Sequence, residues 1–439
     1  MEQQREEQAR KLQRLQCAVQ NYDWGLPASA SRVASLHALN AGASLDPRNP
    51  YAELWMGTHD SGPCYLKNNS NANSSNYHSE KNNGPAAPTT LKSWLLQNPC
   101  VLGERVLVNW GCDLPFLFKV LSVGKALSIQ AHPDKELARA LHKRLPDIYK
   151  DANHKPEMAL ALTQFEALCG FVSLEDLKDV VAGVPEVAEL IGNRNKDQVL
   201  NFNVKHGQEK FKPVLQEAFT RLMSADKDLV AEVVSKVKCR LQSEIQLREL
   251  KERELLVLRL EEQYPGDVGV ISAFFLNYVR LKPGEALYLG ANEPHAYLSG
   301  ECVECMAASD NVVRAGLTPK LRDVPTLCSM LTYKQGHPEI LRGVSVNPYI
   351  KKYLPPFDEF EVDSCALPQG ASTAFPAVPG PSIFLVMAGQ GTIEADSLRE
   401  EIAEGDVFFV AADCEILLTA ETQLQIFRAG VSSKFLYRQ

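Results

Sequence analysis

Gln130, His132, Glu157 and His295 are residues of the types that hold a divalent metal. Three short segments carry them: Ser128-Ile129-Gln130-Ala131-His132, His154-Lys155-Pro156-Glu157 and Asn292-Glu293-Pro294-His295-Ala296-Tyr297. Residues two apart along an extended strand point the same way, so Ser128, Gln130 and His132 share one face and Leu127, Ile129 and Ala131 the other. Two imidazoles, one carboxylate and one amide oxygen form a borderline-hard donor set of the kind zinc accepts. Lys155 and Glu157 also share strand parity, and Pro156 favours extended backbone at Lys155, so an ammonium can face the same way as the carboxylate.

Short strands broken by Pro-Gly turns must position these residues. Residues 274–281 read as a strand, Lys282-Pro283-Gly284 as a turn and 285–289 as the returning strand; the pattern recurs at 383–387, 389–392 and 405–410. These are two copies of one antiparallel barrel or sandwich. The spacing fits a cupin motif, in which Gly284, Gly290, Asn292 and His295 occupy the motif offsets; the C-terminal copy has Gly405 and Asp413 but Ile416 where the histidine falls. One barrel can therefore hold metal and the other cannot. Between the two, apolar residues take three-to-four spacing over 173–190 and 228–264, with Val230, Val233, Val237, Leu241 and Ile245 in one stripe and a solvated charged face over 248–262.

The expected fold is mainly β with an α-helical insert: two cupin-like β-barrel (jelly-roll) domains, one metal-bearing, plus a helical domain. The expected division is a charged N-terminal extension over 1–14, and a metal-binding domain from 15–170 and 266–335. A helical insert fills 171–265 and a metal-free barrel 336–439. Residues 67–90 form a polar low-complexity stretch with little apolar surface to offset the entropy of ordering it, and are expected to be a mobile loop.

With 439 residues and a formal net charge of −8, the chain shows no basic stripe, which argues against nucleic-acid or membrane-surface partners. No apolar run is long enough to span a bilayer, and residues 1–14 lack an apolar secretory core, so a cytoplasmic location is expected. Eleven cysteines without framework spacing fit reduced thiols; the CxxC of Cys302 and Cys305, with no second pair, reads as buried thiols rather than a zinc knuckle.

Several longer motifs occur in order: Tyr22-Asp23-Trp24-Gly25, residues 50–59, residues 115–122, Gln130-Ala131-His132-Pro133, residues 151–158 and residues 301–320. On these the chain resembles the type I phosphomannose isomerases over nearly its whole length. The resemblance implies one Zn²⁺ per chain, a hexose 6-phosphate substrate, and interconversion of D-mannose 6-phosphate and D-fructose 6-phosphate through an enediol. It further implies supply of mannose 6-phosphate for GDP-mannose synthesis and a monomeric protein. Arg314 matches the family's active-site arginine, Lys155 is the candidate proton-transfer base and His154 a candidate for ring opening. Ser128 and Lys320 suit phosphate capture, Glu304 and Asp310 orientation of hydroxyls or of Arg314, and Trp24 stacking on the sugar. A catalytically silent sugar-binding cupin is the alternative from another class, and an isomerase of another sugar phosphate is a third.

Overall fold

The computed structural model describes residues 11–67, 88–396 and 398–438. Most of the charged extension and of the polar loop therefore lies outside the described residues. Contacts divide the chain into two compact units, one made of residues 1–122, 303–308 and 342–439, the other of 123–302 and 309–341.

In the first unit an eight-stranded and a four-stranded antiparallel sheet enclose one apolar core, the sandwich form of a jelly roll. Glu361–Leu367, Leu424–Gly430, Ser382–Ala388 and Val407–Val410 run side by side in the larger sheet. The N-terminal strand Leu12–Gln16 joins it, paired with Val407–Val410 on one side and Tyr65–Leu66 on the other. Gly389 turns the chain at φ +87°, and a Cβ there would sit 2.1 Å from the Gln423 carbonyl oxygen, so no side chain fits. Ile416, at the position of the motif's histidine, is buried in the apolar core, which fills this sandwich with side chains.

The second unit sets helices against a sheet. Ser173 caps Leu174–Gly183 by accepting from the Asp176 N–H, satisfying one of the donors a helix start leaves open. Lys227–Glu244 buries Val230, Val233, Val234, Val237 and Leu241, whereas Ile245, expected to complete the stripe, falls at the C-cap and is 47% exposed. The single helical pattern expected over 228–264 breaks there: a connection follows in which Arg248 pairs with Glu244 and, at 2.7 Å, with Glu254. The chain then resumes as Glu252–Gln263. The helices pack on the strands through one core that includes Phe171, Phe219 and Phe275, and Phe219 meets the other two rings at 5.1 and 5.9 Å. Ile129, Ala131, Ala296, Val313 and Ala315 point into this core, so the alternate residues of their strands must face away from it. That outward row carries the candidate metal ligands.

Candidate metal centre

Strand Ile129–Ala131 runs antiparallel to His295–Ala307 on one side and to Val313–Gly316 on the other. Gln130 stands directly opposite both His295 and Arg314. Opposed residues present their side chains to the same face, so His295, Gln130 and Arg314 make a row, with His132 two residues further along. Glu157 opens the strand Glu157–Ala161 opposite Leu289. Gln130 thus faces away from the core that Ile129 and Ala131 enter.

His132 Nε2 lies 3.3 Å from Glu157 Oε1 and His295 Nε2 lies 3.3 Å from Glu157 Oε2. The imidazole centroids are 5.0 Å apart, and one donor atom from each of the three residues falls within 4.8 Å of the others. All three side chains are buried. The Nδ1 atoms are committed: that of His132 donates to the Asn311 carbonyl oxygen at 2.6 Å and that of His295 to the Glu293 carbonyl oxygen at 3.0 Å. A carbonyl can only accept, so each ring carries its proton on Nδ1 and turns a lone pair on Nε2 toward Glu157. Neither Nε2 has a hydrogen-bond partner. Two buried, unpartnered imidazole lone pairs converging on a carboxylate fit a divalent metal better than any arrangement of protein hydrogen bonds.

The electrostatics agree. Burial, with Lys155 and His295 acting in the same sense, pushes the His132 imidazolium down to about 4 against the pull of Glu157. Burial also pushes the Glu157 carboxyl upward, but Lys155, His132 and His295 together outweigh it and hold the group well below the usual range. Neutral imidazole and ionised carboxylate are the ligand forms a metal requires. In the metal-free protein the sign follows directly. An unfolded histidine takes up its proton near 6.5, whereas folded His132 resists until about 4, so the unfolded state binds protons first as pH falls. Stability from this residue is complete above 6.5 and declines toward 4, by on the order of 3 kcal/mol. Melting curves of chelator-treated protein across that window should show the decline, and a flat profile would contradict the sequestered imidazole.

Lys155 Nζ lies 3.2 Å from Glu157 Oε1, so the lysine and the carboxylate do face the same way. His154 is half-buried in the same arm. Arg314 is partly exposed, and burial of the rest lowers its pKa somewhat. Ser128 is half-buried one residue before the ligand strand, while Asp310 and Lys320 are exposed on the loops either side of Val313–Gly316. Trp24 and Glu304 belong to the other unit: Trp24 stacks on Tyr22 at 5.8 Å, and buried Glu304 pairs with Lys119 at 3.1 Å.

That last pairing exposes a cluster the sequence reading passed over. Lys119 sits within Phe116–Val123, a strand buried along its whole length, and its ammonium is also 3.1 Å from Glu53 Oε2 and 4.9 Å from the Trp55 ring centre. Trp55 Nε1 donates to the same Glu53 oxygen at 2.5 Å. A lysine inside a strand that is apolar but for Ser122 was the available signal, since a buried ammonium must be paired.

Family models of type I phosphomannose isomerase match this chain in three parts: the catalytic domain over residues 12–174, the helical insertion domain over 190–276 and the C-terminal domain over 353–397. Mannose-6-phosphate isomerase 1 of Arabidopsis thaliana is 58% identical over 428 residues, covering 98% of this chain and 96% of that one. The mouse mannose-6-phosphate isomerase is 42% identical over 430 residues, covering 94% and 97%. Among solved structures, mannose 6-phosphate isomerase from Salmonella typhimurium bound to substrate and a zinc atom superposes with a TM-score of 0.78 at 28% identity, covering 96% of this chain and all of that one (100%).

Proposed function

Since this chain belongs to the type I phosphomannose isomerase family, we infer that it interconverts D-mannose 6-phosphate and D-fructose 6-phosphate at one zinc ion per chain. The observation that carries the reading is the buried His132–Glu157–His295 cluster with its two unpartnered Nε2 atoms. Gln130, opposite His295 in register, supplies the fourth donor through its amide oxygen. A zinc ion held by these residues would supply positive charge to offset the negative charge that builds up on substrate oxygens when the proton moves between C1 and C2.

The chain's own groups do the rest. Lys155, acting as the neutral amine, takes the proton from one carbon, becoming the ammonium, and returns it to the other, and His154 assists opening of the sugar ring. Arg314 stabilises the enediolate oxygens with a planar charge that never titrates in the working range. Ser128 and Lys320 hold the phosphate, and Asp310 orients hydroxyls or Arg314. Lys155 and Arg314 standing with the ligand set favour an enzyme over a silent sugar-binding protein. Among the described residues no helix is long and apolar enough to cross a membrane. A monomeric cytoplasmic enzyme supplying mannose 6-phosphate for GDP-mannose synthesis is the physiological reading that follows from the family.

The purified protein should isomerise mannose 6-phosphate in preference to a panel of other hexose and pentose phosphates, and only with zinc bound. Preference for another sugar phosphate would redirect the substrate assignment. Arg314→Ala should lower kcat by about 10²–10³ with little change in KM or zinc content, because the charge it meets develops in the transition state. A weakened KM at near-normal kcat would instead make Arg314 a ground-state clamp.

A further inference from the structure

We propose that Asp151 is a positioning residue for the metal centre, setting both the His132 ring and the arm that carries Lys155 and Glu157. This deepens the zinc reading above and rests on it. Asp151 Oδ1 accepts from the Asn153 N–H at 2.9 Å, the Ser309 hydroxyl at 2.8 Å and Asn311 Nδ2 at 3.2 Å, and Oδ2 accepts from the Asp310 N–H at 2.8 Å. Asn311 Nδ2 reaches back to the carbonyl oxygens of Asp151 at 2.8 Å and Asn153 at 2.9 Å. Ser309 Oγ, which also contacts the Asn153 carbonyl at 3.1 Å, accepts from the Asn311 N–H at 3.2 Å. Residues 151–153 and 309–311 are thereby clasped together.

A carboxylate suits this place because it only accepts, and every neighbour here offers a hydrogen. The clasp has two outputs. Ser309 and Asn311 are buried, and the Asn311 carbonyl receives the His132 Nδ1–H at 2.6 Å, the contact that keeps the Nε2 lone pair on the metal side. At its other end the clasp anchors the arm that runs through Lys155 and Pro156 to Glu157, whose oxygens meet both imidazoles. Releasing Asp151 therefore loosens His132 and Glu157 at once, although Asp151 itself touches neither zinc nor sugar.

The test uses the full chain with Asp151→Ala and Asp151→Asn, reading zinc affinity by competition with a chromophoric chelator and the visible spectrum of the Co²⁺-substituted protein. Asp151→Ala should weaken zinc by about 10–100-fold and alter the Co²⁺ bands, the scale on which groups behind metal ligands act. Asp151→Asn, which keeps one oxygen but turns an amide NH2, itself a donor, toward the Asp310 N–H, should fall between it and the wild type. Wild-type zinc affinity and an unchanged Co²⁺ spectrum in Asp151→Ala would overturn the proposal even if activity dropped. Should Asp151→Ala not fold, Asp151→Asn and Ser309→Ala each remove part of the clasp, and wild-type affinity in both would overturn it equally. A wild-type protein unable to hold zinc would instead sink the metal reading, and this inference with it.

Discussion

Replacing His295 or His132 by alanine abolishes zinc retention and isomerisation together. Each imidazole is buried, contributes one Nε2 lone pair to the same carboxylate-centred cluster, and has its other nitrogen tied to a backbone carbonyl. Altering a group behind a ligand weakens a metal about 10–100-fold, so deleting a ligand should weaken it by on the order of 10³-fold or more. The two variants should differ in stability. His132→Ala leaves the buried Asn311 carbonyl without its donor, while His295→Ala frees the carbonyl of Glu293, a half-buried residue, so the first should melt lower in the metal-free state. Zinc analysis after dialysis against chelator, paired with a coupled isomerase assay, reads both losses. Full turnover in a chelator-stripped variant would remove zinc from the mechanism.

The face that carries the candidate ligands was legible in the sequence because period-two alternation of Gln130 with Ile129 and Ala131 survives folding. Gln130 and His132 alternate with Ile129 and Ala131, and the structure buries the apolar pair in the helical core and turns the polar pair away. Lys155 lies before the strand that Glu157 opens, and its ammonium nonetheless reaches that carboxylate. The helical insert was legible from Ser173 and the valine stripe, but the break after Glu244 was not. Ile245 continues the spacing, whereas the turn is made by backbone hydrogen bonds to Glu244, the Lys251–Glu254 cap and the pairing of Arg248 with Glu244 and Glu254, which the spacing does not encode. The clasp of Asp151 on 309–311 and the Lys119 pairing with Glu53 and Glu304 were illegible for a different reason. Each joins residues far apart in the chain through hydrogen bonds or ion pairs, and nothing in local spacing encodes which distant partner a polar residue meets.

Lys155→Met retains zinc and substrate but fails to exchange the C2 hydrogen of mannose 6-phosphate with solvent deuterium. The methionine keeps an apolar stem of similar reach, so the arm stays anchored by Asp151 and extended through Pro156, and what disappears is the amine 3.2 Å from Glu157 Oε1. That contact fixes where the amine stands: beside a carboxylate whose two oxygens face both imidazoles, and so beside any sugar oxygens drawn to the ion. Losing a positioned proton-transfer group lowers turnover by about 10²–10⁴, which is the range expected here for both isomerisation and exchange. The two readouts separate the possible roles. If Lys155 only balanced the charge of Glu157, its removal would disturb zinc content and leave exchange per bound zinc intact. If it moves the proton, zinc content stays near one per chain while exchange and isomerisation fall together. Near-normal exchange in a zinc-loaded variant would pass the role to His154, in the same arm.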